Sequence, residues 1–245
     1  MKPTAKAPAP YGLNVLNNCL LCVMKEEGLF CRLPEDALRD LNSCRQTSLY
    51  PSGAVLFVEG GSPEGLFILC SGQAKLVAVS NEGRSIILRV VEPGEVLGLS
   101  SVTANAPYSV TAETLAPSQV NFIPRPDFLR ILSSYAEVAH RVAEHLSMEL
   151  HKAWEQTRLV ALAPNSRTKL AQWLLNWANE QGKPTAEGVR IRVAITHSEI
   201  GDSIGASRET VTRLLADFRR RGLIRVQGAS LVILRLDELR ALSAT

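Results

Sequence analysis

Arg208, Glu209, Thr212 and Arg213 share one face of a short segment. Its other face, Val211, Leu214, Leu215 and Phe218, is apolar at the i, i+3, i+4, i+7 spacing of a helix. An arginine can grip guanine through two acceptors, and a glutamate can accept from the cytosine amino group. At a helix N-terminus, these side chains have the chemistry for reading base edges in a DNA major groove. The bland alternative is a solvated helix carrying a Glu209–Arg213 pair one turn apart. A second group of residues offers sulfur: Cys19 and Cys22 form a C-x-x-C pair, followed by Cys31, Cys44 and Cys70. Thiols so spaced bind an iron–sulfur cluster or zinc, act as a redox switch, or stay unligated. A thiol redox enzyme is disfavoured, because the pair lies outside a βαβ context. His140, His145, His151 and His197 form no catalytic set, so an enzyme is not expected.

The elements around Arg208 support the DNA chemistry. Thr196 with Glu199 is a capping box, which starts a helix whose apolar stripe is Ile200 and Ile204. Gly205-Ala206 interrupt it, and Ser207 is a good N-cap for the next helix. The spacing predicts two short helices with a tight turn, the layout of a helix-turn-helix. Arg219-Arg220-Arg221-Gly222 supplies terminal cations and a C-cap glycine. Leu223 to Val226 and Leu231 to Leu234, joined by Gln227-Gly228-Ala229-Ser230, predict a β-hairpin wing. Arg225 and Gln227 would lie near a phosphate backbone. A final helix is expected from about Asp237 to Leu242.

A chain of 245 residues suggests two domains. The net charge of +3 is unevenly placed, with the cationic excess after residue 164 and a slight acidic excess before it. That is the distribution a phosphate-binding C-terminal domain requires. No apolar run has membrane-spanning length, and the Ala/Pro-rich start lacks the apolar core of a signal peptide. A cytoplasmic protein without membrane contact is expected, in which the five cysteines form no disulfide framework.

From residue 50 to 124, turn signals recur about every ten residues, at Pro51-Ser52-Gly53, Gly60-Gly61, Ser71-Gly72, Asn81-Glu82-Gly83 and Pro93-Gly94. Between them lie Ala54 to Glu59, Leu66 to Cys70, Lys75 to Val79 and Ile86 to Val91, with later strands at Val110 to Ala112 and Gln119 to Ile123. Such a unit encloses an interior that can hold a small ligand. A long helix is expected from about Ser134 to Val160, with Val138, Val142, Leu146, Leu150, Ala153 and Thr157 as a coiled-coil seam and Trp154 beside it. The seam predicts a two-fold homodimer; the alternative is a helix packed on its own β unit. Pro164 ends the helix, and Asn165 or Ser166 caps the next, whose buried face is Leu170, Trp173, Leu174 and Trp177. Gly182-Lys183-Pro184 should stop it, and Val189 to Ile195 should be a strand.

This order of β unit, long helix and winged helix-turn-helix resembles the Crp/Fnr family, the bacterial transcription regulators that include the cyclic-AMP receptor protein and the fumarate–nitrate reductase regulator. The likeness is sharpest at Thr196 to Gly201 and Gly205 to Arg213, with Gly60, Gly72, Pro93-Gly94-Glu95 and Gly98 at family positions. It implies an α+β fold: a cyclic-nucleotide-binding-like β-roll, a dimerisation helix and a winged helix-turn-helix. The implied divisions are 1–49 for the tail and cysteine-bearing flap, 50–133 for the sensor roll, 134–163 for the helix and 164–245 for the DNA-binding domain. It also implies a homodimer on a near-palindromic double-stranded DNA operator, in contact with RNA polymerase. Arg208, Glu209 and Arg213 would read a G·C-containing half-site, with Ser207 and Thr212 beside them, while Thr196, His197 and Ser198 touch phosphates.

Two departures sharpen the expectation of the signal. Cyclic-nucleotide binders need an Arg followed by Ser or Thr for the cyclic phosphate, and this chain has Ala106-Pro107-Tyr108-Ser109-Val110 there. A buried phosphate without a cation is expensive, so cyclic AMP is not expected, although Glu95 could hold a ribose hydroxyl. The resemblance turns instead to the oxygen-sensing branch, which holds a four-iron–four-sulfur cluster on an N-terminal C-x-x-C, a nearby third cysteine and a fourth in a late roll strand. Cys19, Cys22 and Cys31 match three of these; the fourth position is Asn121, which offers no thiolate, and Cys44 is the substitute expected here. Cys70 is expected to be a buried core thiol. The resemblance therefore implies a switch by oxygen or nitric oxide. The other readings are a small roll ligand, thiol oxidation, and a non-DNA cyclic-nucleotide-type binding module.

Overall fold

The computed structural model describes residues 10–15, 18–22, 28–79, 85–162, 164–192, 196–228 and 230–243. The chain divides into two compact units, residues 1–149 and 150–245. In chain order the first unit contains α1 (Glu35–Cys44), β1 (Gln46–Tyr50), β2 (Val55–Phe57), β3 (Gly65–Ser71), β4 (Ala74–Val79), β5 (Ser85–Val91), β6 (Val96–Leu97), α2 (Leu99–Ala104), β7 (Thr111–Thr114), β8 (Ser118–Pro124) and α3 (Arg125–Ser134). The long α4 (Ala136–Leu162) follows, and the division between units falls within it. Short 3-10 turns at Cys19–Leu21 and Leu29–Arg32 carry the first cysteines.

The strands form two antiparallel four-stranded sheets, ordered β1-β8-β3-β6 and β2-β7-β4-β5. The roll thus begins at Gln46, ahead of the expected residue 50, because β1 pairs with β8 along its whole length. Alternation along β3 organises the unit. Phe67 and Leu69 point between the sheets and pack with Phe57, Leu97, Tyr108 and Val120. Leu66 and Ile68 point the other way and join Phe30, Leu38, Leu41, Phe128, Ile131, Val138 and Val142 under a helical layer. Helix α1 forms because Ala37, Leu38 and Leu41 make one buried stripe and Glu35 and Asp36 complement its N-terminus.

The expected coiled-coil seam is divided. Val138 and Val142 are buried in the chain's own core, and Leu146 packs against it. Leu150 and Trp154 are 53% and 62% exposed, and Ala153 and Thr157 are also exposed. The early seam positions therefore serve the first unit. The helix starts at Ala136 rather than Ser134 because the latter ends α3.

The second unit contains α5 (Ser166–Gln181), β9 (Lys183–Thr185), β10 (Gly188–Arg192), α6 (His197–Ile204), α7 (Arg208–Arg220), β11 (Ile224–Gln227), β12 (Ser230–Ile233) and α8 (Leu236–Ser243). Its sheet runs β11-β12-β10-β9. Lys183 and Pro184, expected only as a stop, form an edge strand, where a proline is tolerated. Residues 193–195 of the expected Val189 to Ile195 strand lie outside the described residues. Leu170, Leu174 and Trp177 are buried as expected, and Trp173 meets Trp177 edge-on at 4.4 Å. Phe218, Ile200, Ile204, Val211, Leu231 and Val232 are buried in the same unit.

Phe218 has no exposed surface, so Phe218→Ala should cost about 3–5 kcal/mol. A urea titration should show this as a lower unfolding midpoint for the C-terminal unit. A loss below about 1 kcal/mol would contradict the packing.

Candidate functional site

The helix-turn-helix is built by its caps. Both halves of the capping box are present: the Glu199 amide donates to Thr196 Oγ1 at 3.3 Å, and the Thr196 amide donates to Glu199 Oε2 at 2.6 Å. Gly205 ends α6 in the left-handed region at φ 65°. A Cβ on Gly201 would lie 2.4 Å from the Ala206 carbonyl oxygen, so only glycine lets the turn close this tightly. Ser207 Oγ then accepts from the Thr210 amide at 3.2 Å to begin α7.

Val211, Leu214, Leu215 and Phe218 bury one face of α7, leaving Arg208, Glu209, Thr212 and Arg213 exposed on the other. Thr196, His197, Ser198 and Ser207 are exposed nearby. The Glu209 carboxyl is held below the usual carboxylate range by its own backbone amide and by the Ser207 hydroxyl. It is therefore an ionised acceptor at neutral pH. Thr212 also links the two helices. Its hydroxyl donates to the Arg208 carbonyl at 2.9 Å and meets His197 Nδ1 at 2.9 Å, which ties α6 to α7. In the wing, Arg225 pairs with Glu187 at 2.7 Å, an exposed pair that a phosphate can displace at little cost.

The sulfur chemistry converges elsewhere. Cys19, Cys22, Cys31 and Cys70 line one cavity of about 30 Å³ together with Asn18, Phe30 and Asn121. Asn42 of α1 accepts from the Cys19 amide at 3.1 Å, and Asn121 donates its amide to Cys19 Sγ at 3.9 Å. Arg45 and Thr47 in turn donate to Asn121 Oδ1 at 3.1 and 2.7 Å. Gly28 makes room for Cys31: a Cβ there would meet the Gly94 carbonyl oxygen at 2.4 Å and Cys31 Sγ at 3.0 Å. Burial pushes the Cys70 thiol up to about 12, reinforced by the neighbouring Cys19, Cys31 and Cys22 and opposed by Arg45. Burial likewise raises Cys19, against the pull of Arg45.

One expectation is corrected here. Cys44 is not part of this group; its Sγ donates to the Leu41 carbonyl at 3.4 Å, and its charged neighbours are Asp127, Arg130 and Asp40. It sits at the C-terminal end of α1, turned back on its own helix. Cys70 is the buried thiol expected, packed against the core, and it also lines this cavity. Among the described residues, no three His, Cys, Asp or Glu side chains gather closely enough to hold a single ion.

Glu95 is committed internally. Its carboxylate accepts from Arg89 Nη1 at 2.8 Å and from the Glu92 amide at 2.8 Å. Arg89 also reaches Glu149 on α4 at 3.4 Å. Between the sheets, Tyr108 stacks on Phe57 at 4.1 Å and donates its hydroxyl to the Gly65 carbonyl. Aromatic rings pack the space between the sheets.

Residues 48–135 match the cyclic nucleotide-binding domain family, and residues 168–242 match the Crp-like helix-turn-helix domain family. The chain is 26% identical over 211 residues to a CRP-like cAMP-activated global transcriptional regulator of Mycobacterium tuberculosis, covering 86% of this chain and 94% of that protein. It is 26% identical over 223 residues to the regulatory protein HlyX of Actinobacillus pleuropneumoniae, covering 91% and 92%. In fold it is similar to FixK2 from Bradyrhizobium japonicum, with a TM-score of 0.73 at 21% identity over 82% of this chain and 98% of that one.

Gly201→Ala should destabilise the second unit by about 1–3 kcal/mol, as overpacking against a fixed backbone does. Thermal unfolding of the variant checks it, and an unchanged midpoint would show that the turn can open.

Proposed function

As the chain belongs to the Crp/Fnr family of DNA-binding transcription regulators, which are not enzymes, we propose that it binds a near-palindromic operator as a homodimer, under the control of an iron–sulfur cluster held by Cys19, Cys22 and Cys31. The observation that carries the signal is the convergence of these thiols on one cavity whose walls belong to the core under α4. The donor set suits such a group: soft thiols in a largely apolar setting. Among the described residues no three His, Cys, Asp or Glu side chains gather closely enough for a single ion, and soft thiols are the donors that an iron–sulfur cluster takes. When bound, the cluster supplies a centre that oxygen or nitric oxide attacks.

The chain's own residues supply the response. Phe30, next to Cys31, packs edge-on against Phe128 with centroids 6.0 Å apart. Both belong to the cluster that buries Val138 and Val142 of α4. A change in how the cysteine-bearing turns are held therefore reaches the first turns of that helix through close-packed side chains. Leu150, Ala153, Trp154 and Thr157, exposed in the single chain, form the seam for a second copy. Small changes at such a seam shift two recognition helices relative to successive major grooves.

At the DNA, Arg208 and Arg213 serve guanine acceptors and Glu209 the cytosine amino group. Thr196, His197 and Ser198 serve the backbone phosphates, Ser207 stands beside the base-reading residues, and RNA polymerase is the further partner. A small ligand in the roll, cyclic AMP included, has less support, because Glu95 is engaged by Arg89 and the interior is filled by Tyr108 and Phe57.

A gel-shift selection from a random duplex library should enrich one near-palindromic sequence, with affinity falling as salt rises. No salt-sensitive duplex binding, under any redox condition, would defeat the DNA assignment. Arg208→Ala should cost about 1–3 kcal/mol and relax preference at one base pair per half-site. Protein purified without oxygen should be coloured and contain iron and sulfide; colourless, iron-free protein would remove the cluster. Leu150→Asp should yield monomers in sedimentation, and an intact dimer would relocate the seam.

A further inference from the structure

We infer that Cys70 is the fourth thiolate of this centre, in place of both Cys44 and the asparagine at position 121. The assignment rests on the iron–sulfur proposal above and adds the identity of the ligand that closes the set.

The backbone of β3 makes the case. Ile68 pairs with Asn121 and Leu69 with Val120, but Ser71 pairs with Gln119. One residue of β3, Cys70, is thus extra relative to β8, which is a β-bulge. The Cys70 side chain lines the cavity that Cys19, Cys22 and Cys31 also line. Leu66 and Ile68, on the outer face of β3, belong to the helical-layer core, and Cys70 packs against that same core. Asn121 lines the same cavity from the neighbouring strand. The fourth thiol has therefore moved across one strand and one ladder step while keeping the same face.

Asn121 then has its own use. Its side-chain amide donates to Cys19 Sγ at 3.9 Å and is itself held by Arg45 and Thr47. An N–H aimed at a ligating sulfur stabilises the thiolate and fixes its direction. The charged or thiol neighbours of Cys70 are the other three thiols and Arg45, and its own thiol donates to the Ile68 carbonyl at 3.7 Å, whereas the neighbours of Cys44 are Asp127, Arg130 and Asp40. Ligation would take one proton from each of the four thiols and release it to water.

The test uses the full chain, reconstituted without oxygen from ferrous iron and sulfide, with iron and sulfide measured per chain. The wild type should hold about four of each. Cys70→Ser should lose most of both, and Cys44→Ser should keep the wild-type amounts. In the Cys70→Ser background, Asn121→Cys should restore the iron and sulfide, since it returns a thiol to the same face one strand away. Far-ultraviolet circular dichroism checks that each variant is folded. A folded Cys70→Ser protein with wild-type iron and sulfide overturns the assignment, as does a folded Cys44→Ser protein that has lost them. If Cys70→Ser fails to fold, the Cys44→Ser result alone decides: retention supports the assignment and loss overturns it. A wild type that takes up neither iron nor sulfide defeats the cluster proposal itself, and the assignment falls with it. A wild type that loads while Cys70→Ser also loads leaves the cluster standing and removes only Cys70.

Discussion

The structure of the first unit depends on one shared burial. Phe30 from the cysteine-bearing segment, Leu38 and Leu41 from α1, Ile68 from β3, Phe128 from α3 and Val138 with Val142 from α4 exclude water together. Each such side chain stabilises the fold by about 1.5–3 kcal/mol when fully buried, so none is readily surrendered. The consequence is mechanical. The turns holding Cys19, Cys22 and Cys31, the strand holding Cys70 and the opening turns of α4 cannot be repacked independently, because they border the same close-packed volume.

That coupling gives the two sides of β3 different roles. Its inner residues fill the space between the sheets with Phe57, Tyr108 and Leu97. Its outer residues face the helical layer and the thiols. The inside of the roll is thus packed with side chains, and the thiols lie on its outside. The ion-paired set Arg89, Glu95 and Glu149 has the same effect, since it uses Glu95 to brace β5 and α4 rather than to hold a ligand.

In the second unit, local chemistry and tertiary packing agree. The capping box at Thr196, the glycines at 201 and 205 and the cap at Ser207 each specify a helix boundary by short-range hydrogen bonds or backbone allowance. The apolar stripe of α7 then sets which of its residues face solvent. That is why this unit was the more legible one: Arg208, Glu209 and Arg213 fall where their spacing predicts. Thr212 falls there too, with a hydrogen bond that spacing does not predict. Its link to His197 spans two helices, and helical periodicity carries no information about such a pair.

Local periodicity and backbone chemistry were enough to place the strands of the roll, the long helix, the helix-turn-helix with its caps, and the sulfur-rich start from the sequence alone. Less was determined wherever two distant segments had to meet. The seam on α4 looked continuous because heptad spacing does not say which partner buries it, and Val138 and Val142 proved to be taken by the chain's own roll. Cys44 lies nearer in sequence to Cys31 than Cys70 does, but α1 turns its sulfur back on Leu41. Cys70 lines the thiol cavity from β3, on the face it shares with Leu66 and Ile68, and it meets segments remote in the chain there. Strand register and bulges are set by pairing between remote segments, and that is a property of the folded chain.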